Sequence, residues 1–135
     1  MMHQISFRVR YGETDQMGVV HHGNYALYFE MARIEWLRQL GVSYKLMEAN
    51  GVALPVVRMT VNYHKALFYD DELTVTTRLI GQPTAIINFE FEIHNQNMEL
   101  CSTANVTLAF LNNATRRPMR CPEDLLARMT NNSTQ

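Results

Sequence analysis

Cysteine is scarce in this 135-residue chain, where Cys101 and Cys121 stand far apart with no Cys-x-x-Cys spacing. Two such thiols can neither staple a small fold nor complete a zinc site alone, so a reducing, cytoplasmic location is the economical expectation. Long apolar runs are missing as well. The longest, Val52 to Val57, falls far short of the roughly 18–20 residues a spanning helix needs, and Arg8 and Arg10 interrupt the stretch a signal peptide would keep apolar. Nor does either sign of charge dominate: 12 Lys and Arg face 13 Asp and Glu, for a net charge of −1. That balance offers no broad basic footprint for nucleic acid and no polybasic anchor for an anionic membrane. Internal repeats, low-complexity blocks and linkers are absent too. The expectation is a single domain over residues 1–130 and a polar tail at 131–135.

What is present is an ordinary globular composition, 47% hydrophobic and 19% charged. Ile5, Phe7, Val9 and Tyr11 alternate with Ser6, Arg8 and Arg10, which predicts a half-buried strand over 4–11. Gly12 to Gly23 breaks the pattern with turn formers. Asn24 then stands as an N-cap, and Tyr25 to Leu40 reads as a helix stopped by Gly41. Tyr25, Tyr28, Phe29, Ala32, Trp36 and Leu40 mark one stripe of it, and Leu27, Met31, Ile34 and Leu37 cover much of the rest. An enclosed helix is therefore expected.

A short helix is expected near 43–50, and beyond it the period changes to two. Met59, Val61 and Tyr63 belong to one strand, and Leu73, Val75, Thr77 and Leu79 to the next. Ile87, Phe89, Phe91 and Ile93 alternate with Asn88, Glu90, Glu92 and His94, which predicts one wet face. Leu100, Ala104, Val106, Leu108 and Phe110 form the expected inner face of a last long strand. Glu123 and Asp124 open a C-terminal helix after Pro122. The sum is an α+β domain: one long buried helix wrapped by a curved antiparallel sheet of about five strands. Long strands with few edge blockers suggest that an edge pairs with a second subunit, so a homodimer or homotetramer is expected.

Chemistry is concentrated in Tyr11-Gly12-Glu13-Thr14-Asp15-Gln16-Met17-Gly18-Val19-Val20-His21-His22-Gly23-Asn24-Tyr25. A loop with a carboxylate, two histidines and several glycines runs into a helix N-terminus, whose first amides lack intrahelical acceptors. Such amides can polarise a carbonyl and stabilise the oxyanion formed on attack. Asp15 can reach the same place as nucleophile or general base. An Asp in a glycine-rich loop is also an ordinary turn former, and a His pair before a helix can serve capping alone. No metal is expected, for no HExxH or Cys/His ligand spacing occurs, and the adjacent His21 and His22 are expected to point apart.

The string Tyr11-x-Glu-Thr-Asp15-x-Met-Gly18-Val-Val-His-His22-Gly-Asn24-Tyr25, with Tyr28-Phe29-Glu30-x-Ala32-Arg33 after it, closely resembles hotdog-fold acyl-CoA thioesterases. The resemblance is to their 4-hydroxybenzoyl-CoA thioesterase-like branch, including the Tol–Pal-associated type. It continues through Val56-Val57-Arg58-Met59-Thr60-Val61-Asn62-Tyr63 and Asp70-Asp71-Glu72-Leu73, covering most of the chain. The resemblance implies hydrolysis of an acyl-CoA or aroyl-CoA, with no cofactor because coenzyme A is part of the substrate. Asp15 matches the essential carboxylate, and Tyr11 and His22 match its supporting tyrosine and histidine. The backbone N–H of His22 is the expected oxyanion donor. Val20, Asn24, Tyr25, Arg58 and Met59 are substrate-binding candidates, although Asn24, Tyr25 and Glu30 also match as scaffold. Met17, Val19 and Tyr63 join Val20, Tyr25 and Met59 as an expected acyl wall. Coenzyme A carries phosphates, which calls for Arg58, Lys65, Arg116, Arg117 or Arg120 at the entrance. A hotdog acyl-CoA dehydratase and a non-hydrolytic acyl-CoA or acyl-carrier binding module are the alternatives.

Overall fold

The computed structural model describes residues 2–133, with side chains through residue 130. Strand β1 is Met2–Arg8, helix α1 is Gly23–Gln39 and helix α2 is Tyr44–Ala49. A two-residue strand β2, Val52–Ala53, precedes the long strands β3 (Val56–Tyr63), β4 (Glu72–Ile80), β5 (Ile86–His94) and β6 (Leu100–Ala109). Strand β7 is Leu111–Asn112, and helix α3 is Glu123–Ser133. Helix α3 thus runs into the segment expected to be a polar tail, while residues 134–135 lie outside the described residues.

Five strands form one antiparallel sheet in the order β1-β4-β5-β6-β3, and β2 pairs separately with β7. The β4, β5 and β6 strands are sequential neighbours, as their short connections predict. By contrast, β1 finds its partner far along the chain, with Ile5 opposite Val75. Ile87, Phe89, Phe91 and Ile93 of β5 are all buried beneath α1. Phe29 meets Phe91 with ring centroids 5.0 Å apart, and Trp36 meets Phe89 edge-on at 4.9 Å. Each such side chain contributes about 1.5–3 kcal/mol of hydrophobic stabilisation when fully buried. The polar residues of β5 are half-buried rather than fully wet.

Four local expectations change. The first strand ends at Arg8, and Tyr11 sits in a 3-10 turn, Tyr11–Glu13, with 77% of its surface exposed. The cap of α1 is His22 rather than Asn24, which lies inside the first turn. The helix is enclosed on one side only, because Leu27 and Met31 remain exposed. Leu100 is exposed as well: the register shifts at Ile93/His94, so Ser102 continues the inner face and Leu100 falls out of phase. The Ser102 hydroxyl donates to the Asn62 carbonyl at 2.8 Å, which satisfies it in an otherwise apolar layer.

Helix α1 ends in a Schellman arrangement. Gly41 (φ +80°) donates to Arg38 O at 2.9 Å and Val42 donates to Leu37 O at 3.1 Å. Arg128 of α3 donates to Leu40 O at 3.0 Å, over a position where a Cβ on Gly41 would lie 2.7 Å from that guanidinium.

Candidate active site

The loop between β1 and α1 is a small hairpin. Thr14 bridges Val20, Asp15 N donates to Val19 O at 2.8 Å, and Gly18 N donates to Asp15 O at 3.0 Å. Gly18 has φ +81°, the left-handed position that closes a three-residue hairpin loop and favours glycine. Its second arm docks onto the chain after β3, where Val20 N donates to Leu67 O at 2.8 Å and Val19 bridges Phe68. Asp15 occupies the first position of this turn. Its Oδ1 accepts from Met17 N at 2.9 Å and from Val19 N at 3.4 Å. The turn-forming role is therefore real, and it uses one carboxylate oxygen. Among the described residues Oδ2 has no hydrogen-bond partner.

The hairpin returns directly into α1. His21 N donates to Glu13 O at 2.9 Å. The next amides are occupied: Gly23 N by the His21 Nδ1 at 3.0 Å, Asn24 N by His21 O at 2.9 Å and Tyr25 N by His22 O at 3.2 Å. Among the described residues the His22 N–H has no acceptor. An unpaired amide at the head of a helix is the kind of donor that a developing oxyanion needs. The rings of His21 and His22 do not point apart but stack, with centroids 4.2 Å apart, because His21 folds back to accept from Gly23.

Other candidates are placed unevenly. Val20 and Tyr25 are buried beside the loop, and Tyr25 meets Tyr63 of β3 edge-on at 4.9 Å. Burial pushes the Tyr25 phenol up to about 12, so it stays protonated at neutral pH. Met59 shares the helix-facing side of β3 with Tyr63, yet both are exposed on this edge strand. Met17 is exposed at the hairpin tip. Asn24 donates from Nδ2 to Glu13 O at 2.8 Å, and Glu30 points to solvent. The Tyr11 ring packs edge-on against Tyr69 at 5.4 Å.

The basic candidates do not converge. Lys65 pairs with Glu99 just beyond the Tyr63 end of β3, and Arg58 is exposed near the opposite end, five residues or about 17 Å from Tyr63 at the strand rise. Arg116 and Arg117 lie beyond β7, where Arg116 donates to Asn113 Oδ1 at 3.2 Å. Arg120 is exposed further along.

The hub of the loop was not singled out from the sequence. Glu13 Oε1 accepts from Arg10 N at 2.8 Å and from the Tyr28 hydroxyl at 2.9 Å. Its Oε2 accepts from Arg10 Nε at 3.1 Å and Nη2 at 2.9 Å. Burial pushes the Glu13 carboxyl up, but the hydrogen bonds from Arg10 and Tyr28 outweigh it and hold the group below the usual range. Burial, with the bond to Glu13, raises Tyr28 strongly in turn. Glu13 and Tyr28 both stand at defined positions of the family string, but nothing in their spacing says that the two side chains bond to each other.

The thioesterase-like superfamily profile matches residues 9–129. The chain is 32% identical over 120 residues to the acyl-CoA thioester hydrolase YbgC of Escherichia coli O6:H1, spanning 89% of this chain and 90% of that one. It is 34% identical over 121 residues to the acyl-CoA thioesterase YbgC of Haemophilus influenzae, spanning 89% and 88%. A DHNA-CoA thioesterase from Staphylococcus aureus superposes with a TM-score of 0.93 at 33% identity, covering 98% of this chain and 91% of that one. The five-stranded antiparallel sheet with its long helix is the hotdog fold. The chain belongs to the thioesterase-like superfamily and is, at the level of that family, an acyl-CoA thioester hydrolase.

Proposed function

We propose that Asp15 and the His22 amide form the two halves of the hydrolytic centre. The observation that carries this reading is a pair of unused groups on one loop. Oδ2 of Asp15 and the N–H of His22 lack partners among the described residues, while the amides that follow His22 are engaged. Oδ1 anchors the carboxylate and Oδ2 acts. Either Oδ2 attacks the thioester carbon, giving a mixed anhydride that water then opens, or it takes a proton from the water that attacks. In both routes the carbonyl oxygen gains charge opposite the His22 N–H, and coenzyme A departs as a thiolate, a leaving group that needs little acid assistance. No cofactor enters the scheme. Tyr11 and the His22 ring, both exposed, take supporting roles in this scheme. Val20, Tyr25, Met59 and Tyr63 supply the acyl wall, with Asn24 as scaffold. Arg58, Lys65, Arg116 and Arg117 are the phosphate candidates.

A second copy of the chain lying along β3 fits this reading, because that edge is unpaired and exposes Val56, Val57, Met59 and Tyr63, the last in contact with Tyr25 beside the loop. A reducing, cytoplasmic setting fits two unpaired cysteines. No helix among the described residues is long and apolar enough to cross a membrane.

The test is release of free thiol from acetyl, hexanoyl, palmitoyl and aroyl CoA esters, by wild type and by Asp15→Asn. The aroyl ester is included because the Staphylococcus aureus relative is named a DHNA-CoA thioesterase. Asp15→Asn should lower kcat by roughly 10²–10⁴. A near-wild-type rate would remove Asp15 from the centre. Tight binding of every ester without thiol release would favour the binding-module reading, and enoyl product without thiol the dehydratase.

A further inference from the structure

The loop that carries Asp15 and His22 is short, exposed at its tip and anchored by Val20 on the side of the chain that follows β3. Asp15 contributes only contacts within its own turn. Something must therefore hold the turn against the helix, because catalysis by two separate groups needs their spacing fixed to within a fraction of an ångström. Glu13 makes connections on both sides. Its backbone carbonyl accepts from His21 N at 2.9 Å and from the Asn24 side chain at 2.8 Å, across the neck of the hairpin. Its carboxylate accepts from the Tyr28 hydroxyl, one turn further along α1, and from Arg10 at the start of the loop. It stands two residues from Asp15, while its backbone partner His21 stands next to His22.

We propose that Glu13 is a positioning residue: its carboxylate ties the loop to Tyr28 of α1 and thereby fixes the Asp15 carboxylate relative to the His22 amide. This rests on the hydrolytic reading above for its consequence in catalysis, but its structural content stands apart from it. The carboxylate is nearly enclosed, with 13% of its side chain exposed, whereas its partner Arg10 is 83% exposed. The Arg10 pair by itself is a surface ion pair of small worth. The bond to Tyr28 is different. It reaches the helix, it is charge-assisted and it is part-buried, which makes it one of the stronger kinds of side-chain hydrogen bond. A cavity of about 480 Å³ opens beside this bond, walled by Leu27 and Met31 of α1. On this side, away from the contacts of Val19 and Val20 with Phe68 and Leu67, the Glu13–Tyr28 bond ties the loop to the helix beside the bonds of the Glu13 carbonyl.

The experiment compares wild type, Glu13→Ala and Tyr28→Phe by two readouts; Ala removes both carboxylate oxygens, whereas Gln would keep an acceptor at the Oε1 position that Tyr28 and Arg10 N use. The first is steady-state thiol release with the best ester of the panel. Glu13→Ala is expected to lower kcat about 10-fold or more while KM changes less than about threefold. Tyr28→Phe should lower kcat in the same direction, and the double variant should be no worse than Glu13→Ala. The second readout is amide exchange at Met17, Val19 and His21, whose hydrogen bonds define the turn and its neck. Glu13→Ala should speed exchange at these amides about 10-fold or more while β5 amides keep wild-type protection. Unchanged exchange in the loop would overturn the proposal, whatever the ester assay shows. So would exchange that quickens equally in β5, since that is a general loss of stability. Additive losses of kcat in the double variant would show that Glu13 does not act through Tyr28. Failure of Asp15→Asn to impair hydrolysis would defeat the catalytic reading while leaving the exchange result to judge Glu13.

Discussion

Strands β3 and β5 have the same kind of alternation in the sequence, and the structure treats them differently. In β5 every second residue is buried: Ile87, Phe89, Phe91 and Ile93 lie beneath α1, flanked by strands on both sides. In β3 the helix-facing residues are Met59, Val61 and Tyr63, and only Val61 is even half-buried. Alternation states which face a side chain takes. Whether that face is covered depends on position in the sheet, and β3 is an edge. The apolar side of β3 is thus left uncovered, next to the β1–α1 loop through the Tyr25–Tyr63 contact.

Truncations along the two strands would test this contrast. Phe91→Ala on β5 is expected to cost about 3–5 kcal/mol in denaturant unfolding, since its ring is fully enclosed and the cavity cannot collapse easily. A loss below about 1.5 kcal/mol would mean the sheet's centre is looser than its burial implies. Ser102→Ala, on β6 between the two strands, should cost about 1 kcal/mol, the net worth of its hydrogen bond to Asn62. Met59→Ala on β3 should change the stability of the single chain by about 0.5 kcal/mol or less, because the residue is 42% exposed. The same substitution should cost more at protein concentrations where a second copy docks, which unfolding at two concentrations would detect. A full core-like loss in dilute solution would erase the distinction between the strands.

The sheet and its central helix were legible because their periods are long and clean. Phe89 and Phe91 could be assigned to the core from alternation alone. Leu100 could not, for a one-residue register shift moves a side chain to the opposite face and leaves no compositional mark. Tyr11 continued the alternation of β1 in sequence, but the chain turns at Arg10, where the Glu13 side chain accepts from the Arg10 backbone. Asn24 satisfied the preference for a cap, yet the loop uses its amide to reach Glu13 O instead. The Asp15 and His22 neighbourhood was visible as a cluster of chemically able residues. Its internal wiring was not, since Glu13 draws on Arg10, His21, Asn24 and Tyr28, and their joint geometry exists only after the loop has folded.

The long reach from β1 to β4 has a consequence for how the chain is made. Strand β1 is synthesised before every other strand of this sheet, and its partner residue Val75 comes 70 residues after Ile5. At about 5–20 residues per second, the ribosome needs roughly 4–14 s to supply that partner. Helix α1 waits nearly as long for the Phe89 and Phe91 rings that cover Trp36 and Phe29. During that interval the nascent chain carries an apolar helix with nothing to pack on and a strand with no neighbour. A ribosome stalled before β4 would therefore hold out a sticky fragment, and holdase chaperones should crosslink most strongly to chains arrested in that window.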